Sequence, residues 1–79
     1  MTNEKVYRDM MNFIKESGLN DKAIRMNGNW FSAKDWSGAL GYKITPQRLT
    51  SMANQGLVDR VKDRAYFGDN NYRYWPIKL

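Results

Sequence analysis

Near the start of the chain the apolar positions recur at helical spacing. Val6, Met10, Phe13 and Ile14 fall on one side of a helix, with Tyr7 and Met11 on the edges of the same stripe. Thr2 or Asn3 supplies the capping side chain, and Gly18 is the residue type favoured just past a helix end, so the pattern predicts a helix to about Ser17. The stripe is wider than a three-helix core requires. On one reading all six side chains are core; on the other, Tyr7 and Met11 form the seam of a homodimer.

The next segment, LNDKAIRM, fits two descriptions: a short helix capped by Asn20 or Asp21, or a strand leading into the turn dipeptide Asn27-Gly28. Trp30 and Phe31 follow as a short β-favouring pair. Ser32 then opens a helix, with Asp35 in its first turn near the positive end of the dipole. This helix buries Trp36 and Leu40 one turn apart and ends at Gly41. Tyr42-Lys43-Ile44 bridges to Thr45-Pro46, where threonine caps and proline takes the first helical position, at which no N–H is needed. On the helix over residues 46–55, Leu49, Met52 and Ala53 share one face, while Gln47, Thr50, Ser51 and Asn54 lie opposite. Gly56 closes it and Leu57 returns to the core.

The remainder, LVDRVKDRAYFGDNNYRYWPIKL, reads as a β-hairpin turning within residues 68–71. With Asp69 and Asn70 at the tip and no bulge, Leu57, Val61, Ala65 and Phe67 share a core face with Tyr72 and Tyr74. Arg60, Lys62, Arg64 and Arg73 then share the other face with Tyr66 and Trp75. A single bulge reverses part of this assignment. Pro76 ends the ladder or sits on its edge.

Composition narrows the function. Seventy-nine residues make one domain, 1–79, near the lower size at which one apolar core suffices. The chain has no cysteine and no histidine, which removes disulfides, thiolate or imidazole metal sites and Cys-His or Ser-His catalysis. The eight acidic residues are scattered singly, so no carboxylate pair is set up for acid–base work, and no enzyme activity, metal or cofactor is expected. No apolar run reaches a membrane span, and the polar start MTNEKVYRD lacks a signal-peptide core; a cytoplasmic protein is expected. The net charge is +5, and it is unevenly placed: residues 33–79 carry eight basic and four acidic side chains, against five and four before them. That bias favours a polyanionic partner.

The run FSAKDWSGALGYKITPQRLTSMANQGLVDR, a capped helix ending in Leu-Gly, a Thr-Pro start, a leucine four residues on and a Gly-Leu-Val opening a basic hairpin, resembles the winged helix-turn-helix superfamily. The resemblance spans residues 30–77, and the spacing of Thr45, Leu49 and Gly56 is closer to the short reading helix of MerR-like and excisionase-like proteins than to MarR-like ones. Tyr42-Lys43-Ile44 makes the turn longer than the compact motif. The resemblance implies an α+β fold, three helices with a small antiparallel sheet, and binding of double-stranded DNA by a small transcriptional regulator or architectural factor of a bacterium, phage or mobile element. The third helix is then expected in the major groove. Gln47 and Asn54 are suited to adenine, Arg48 to guanine or phosphate, and Thr50 and Ser51 to phosphate or a thymine methyl, with Lys43 and Thr45 at the approach to the helix. Arg60, Lys62, Arg64 and Arg73 are expected on the adjacent backbone or in the minor groove.

For the helix residues the plainer alternative is a solvated polar face; for Arg60, Lys62, Arg64 and Arg73 it is cross-strand pairing with Asp59, Asp63 and Asp69 that protects a strand edge. Residues 43–58 contain no Asp or Glu, which favours a surface facing phosphates. The alternative function is a protein-binding module of the same fold that inhibits or recruits a host protein.

Overall fold

The computed structural model describes residues 2–62 and 72–78. Four helices precede a two-stranded hairpin: α1 (Asn3–Ser17), α2 (Asp21–Asn27), α3 (Ala33–Leu40), α4 (Pro46–Asn54), β1 (Val58–Lys62) and β2 (Tyr72–Pro76). The α+β class is as expected from the sequence. The helix count is four where three were expected, because the ambiguous segment after Gly18 is helical. Its local chemistry explains this: the Asn20 side chain accepts from the Ala23 amide at 3.0 Å, Asp21 sits in the first turn and Arg25 in the last.

The other helices begin where their capping residues stand. Thr2 accepts from the Lys5 amide at 3.2 Å, and Thr45 from the Arg48 amide at 3.2 Å with Pro46 in the first turn. Ser32 and Asp35 form a reciprocal capping box. At Gly41 the chain turns out of α3 with φ of +80°, a conformation that costs other residues steric strain. The long turn that follows is anchored at three points. Ser37 Oγ accepts from the Ile44 amide at 2.8 Å, the Ile44 side chain is buried, and the Tyr42 hydroxyl donates to Asp9 on α1 at 2.6 Å. These anchors fix where α4 starts.

Val6, Met10 and Ile14 of α1 meet Trp36 of α3, Leu49 and Met52 of α4, Ile44, and Val58, Tyr74 and Trp75 of the hairpin in one core. Phe13, also expected in the core, packs edge-on against Phe31 and Trp36 with ring centroids 6.2 and 6.1 Å away. Leu40 and Leu57 are half-buried rather than fully enclosed. Tyr7 and Met11 are half-buried as well, and the Tyr7 hydroxyl donates to the Ile77 carbonyl at 2.6 Å.

The hairpin register corrects the expected faces. β1 and β2 pair antiparallel with Val58 opposite Pro76, Arg60 opposite Tyr74 and Lys62 opposite Tyr72. Arg60 and Lys62 therefore share a face with Tyr72 and Tyr74, while Asp59 and Val61 share the other with Arg73 and Trp75. Alternation does not mark the faces of β2 because the strand is buried on both sides. Tyr74 and Trp75 are 2% and 0% exposed, so neither marks a solvent face. Asp63 and Arg64 lie outside the described residues, as do Ala65, Tyr66, Phe67, Asp69 and Asn70, on which the expected tip depended. On its other edge β2 exchanges two backbone hydrogen bonds with Phe31, whose amide donates to the Tyr74 carbonyl at 3.3 Å and whose carbonyl accepts from the Tyr74 amide at 2.7 Å. Phe31 thus adds a single-residue bridge to the outer edge of the two-stranded sheet.

Candidate nucleic-acid interface

α4 presents to solvent the face that the apolar spacing leaves over. Leu49 and Met52 are wholly buried and Ala53 is half-buried against the core; Gln47, Ser51 and Asn54 are exposed, and Thr50 is half-buried. Among the described residues, Pro46, Gln47, Thr50, Ser51 and Asn54 line a shallow, open depression of about 510 Å³. Its lining combines amide and hydroxyl groups with Pro46 and the apolar parts of the side chains, and includes no acidic residue.

The two edges of this face meet different neighbours. On one, Thr50 lies beside the phenol of Tyr74. Burial pushes the Tyr74 pKa up, opposed by a hydrogen bond to Thr50 and by the nearby charge of Arg60. Arg60 lies directly across the ladder from Tyr74, so the basic residues of β1 stand next to this edge of α4. The Arg60 guanidinium stacks over the Tyr72 ring, 4.5 Å from its centroid, and Lys62 beside them is exposed.

On the other edge a single residue of α1 holds two side chains of α4 and that of Gln55 just past its end. Asn3 Nδ2 donates to Ser51 Oγ at 3.1 Å and to Gln55 Oε1 at 2.9 Å, and Asn3 Oδ1 accepts from Arg48 Nη1 at 2.9 Å. Both ends of the Asn3 amide are thereby used.

The expected site residues divide accordingly. Gln47 and Asn54 are exposed and make no side-chain hydrogen bond among the described residues. Lys43, just before the Thr45 cap, is exposed, whereas the Thr45 hydroxyl is committed to the helix start. Arg48 and Ser51 are tied to Asn3. Arg73 does not join the basic face: it points to the opposite side of the hairpin, donates to the Trp30 carbonyl at 2.9 Å and lies 3.9 Å from Asp35. Its grouping with Arg60 and Lys62 followed from the mistaken register.

Three of the described carboxylates are engaged within the chain. Asp59 pairs at 3.4 Å with Arg25 of α2, which also donates to the Pro76 carbonyl. Asp21 accepts from the Trp75 indole at 2.6 Å. Asp9 accepts from Tyr42 and, at 3.0 Å, from Lys5; these two hydrogen bonds, Tyr42's the larger, hold its carboxyl below the usual range.

Asn3, Gln55, Tyr72 and Tyr74 were not among the site residues expected from the sequence. No local signal marks Asn3, whose bonds to α4 span 45 to 52 positions. Nor does alternation place the tyrosines, since a strand carrying Tyr-Arg-Tyr-Trp in succession shows no consistent polar face. In comparisons with known proteins no family model, no curated protein and no solved structure matches this chain.

Proposed function

We propose that the chain is a winged helix-turn-helix domain that binds double-stranded DNA, with α3 and α4 as the helix pair, α4 in the major groove and the β1–β2 hairpin as the wing. A role as a small transcriptional regulator or architectural factor of a bacterium, phage or mobile element fits its size. The order of elements supports this reading, as does the single-residue bridge of Phe31 to the outer edge of β2, ahead of the helix pair. The additional helix α2 packs against the far side of the hairpin through Arg25 and Asp21 and leaves α4 uncovered.

One observation carries the proposal. The acid-free outward face of α4 is exposed, and on the edge where Thr50 lies beside the buried Tyr74 it borders the hairpin strand that carries Arg60 and Lys62. A surface pressed against phosphates gains from this adjacency, since every cation on it displaces condensed counterions, and residues 43–58 carry no carboxylate to oppose them. In this arrangement Gln47 and Asn54 meet base edges, and Lys43, Arg48, Arg60 and Lys62 meet the backbone. Among the described residues no helix is long and apolar enough to cross a membrane.

Fluorescence anisotropy with a selected duplex and a random one tests the roles. Gln47→Ala should lower the preference between the two duplexes, and Arg60→Ala should weaken both alike. Identical binding of wild type and both variants would refute the assignment. Failure of the wild type to bind any duplex at low salt would favour a protein partner on the same face.

A further inference from the structure

We propose that Asn3 sets the base specificity of α4 by confining base reading to Gln47 and Asn54, and that the preferred duplex carries two adenines about three base pairs apart. This rests on the DNA-binding reading above. Six polar side chains lie on the outward face and edges of α4: Gln47, Arg48, Thr50, Ser51, Asn54 and Gln55. Asn3 engages three of them at once, accepting from Arg48 and donating to Ser51 and Gln55 within 2.9 to 3.1 Å. Thr50 is half-buried on the opposite edge, beside Tyr74. Gln47 and Asn54 remain, and they are the two exposed amides of the helix itself.

Their chemistry and spacing define the ligand. An Asn or Gln amide matches the N6 donor and N7 acceptor of adenine, whereas the bidentate partner of guanine is Arg or Lys. Gln47 and Asn54 are two helical turns apart on one face, roughly 10 Å along the axis at about 1.5 Å per residue. Along a duplex with about 3.4 Å per base pair, that separation covers about three steps when α4 follows the groove. Arg48, held at the edge by a neutral acceptor, keeps its full charge and its remaining N–H groups for a phosphate, so Asn3 separates a positioning cation from the reading set. Asn3 is a positioning residue here: it acts on DNA through α4.

In vitro selection from a random duplex pool, with wild type, Asn3→Ala and Asn3→Ala/Arg48→Ala, tests the proposal. Thr2, not Asn3, accepts the capping hydrogen bond from Lys5, so the first variant keeps the helix start, and a thermal melt followed by circular dichroism verifies it. Wild type should enrich paired adenines about three positions apart. Asn3→Ala should relax that motif and add a guanine preference, and removing Arg48 in the same background should abolish the added preference. Discrimination at each adenine should fall roughly five- to a hundred-fold in Gln47→Ala or Asn54→Ala respectively. A guanine-centred wild-type motif, or the same motif from wild type and Asn3→Ala, would overturn this proposal while leaving DNA binding intact. No enrichment of any duplex by a folded wild type would overturn the DNA-binding reading itself.

Discussion

Replacing Tyr42 by Phe isolates the contact that ties the turn before α4 to α1. The variant keeps the ring in place and removes one O–H, which donates to Asp9 at 2.6 Å. A hydrogen bond to a charged group contributes about 1.5–3 kcal/mol, and the lower part of that range applies because the Asp9 side chain is 26% exposed and regains water when the bond is lost. We expect a loss of about 1–2 kcal/mol at neutral pH, or roughly 4–16 °C in the melting midpoint of a domain this size. The loss should depend on pH in two windows. Asp9 is held below the usual carboxylate pKa, so its contribution is present above the unfolded-state value of about 4 and disappears as pH falls through the lower folded value. The Tyr42 phenol is pushed up to about 12, mainly by burial and then by its bond to Asp9. Its contribution is complete below the unfolded-state value of about 10 and declines as pH rises from there toward 12. Urea unfolding of wild type and Tyr42→Phe from pH 2 to pH 11, with Asp9→Asn closing a double-mutant cycle, measures this. A wild-type advantage that stays constant from pH 7 to pH 2 would refute the coupling.

Other expectations follow from the same structure. Trp36→Ala empties the centre of the aromatic cluster, where Phe31 and Trp75 lie 4.7 and 5.4 Å from the Trp36 ring, and removes the indole donor to the Tyr74 carbonyl at 3.0 Å. A cost of about 3–5 kcal/mol is expected, which approaches the whole stability of a small domain, so calorimetry should find the variant largely unfolded. Tyr72→Ala removes the ring under Arg60 and should weaken binding to all duplexes by a few-fold without moving base preference, as read by anisotropy. If the edge of α1 joins two copies, Met11→Glu should convert a dimer to a monomer in sedimentation; a wild type that sediments as a monomer at high concentration would remove that partner contact.

Local chemistry was legible in the sequence where the determinants are adjacent in the chain. Thr2, Ser32 and Thr45 announce three helix starts because each cap bonds an amide only three positions on. The split of α4 into a buried Leu49–Met52 side and an exposed Gln47–Asn54 side was equally plain, since helical spacing alone determines it. α2 was harder: its seven residues bury no side chain fully, so no apolar stripe distinguishes helix from strand. The hairpin register was illegible for the opposite reason, too much burial. Tyr74, Trp75 and Pro76 are all enclosed, and packing of Trp75 on Phe31 and Trp36 decides which way the strand faces. That choice moved Arg73 away from the basic face and brought Tyr72 and Tyr74 onto it. Asn3 was beyond reach because its role exists only once α1 and α4 are packed together.

The salt dependence of binding to random-sequence duplex tests the central claim most directly. With Lys43, Arg48, Arg60 and Lys62 on phosphates, log K should fall with log[salt] at a slope of roughly −3 to −4, about a hundred-fold between 50 and 200 mM, and Arg60→Ala should reduce the slope by about one. A flat salt response, or no binding at 50 mM, would contradict an α4–hairpin surface built to meet a duplex.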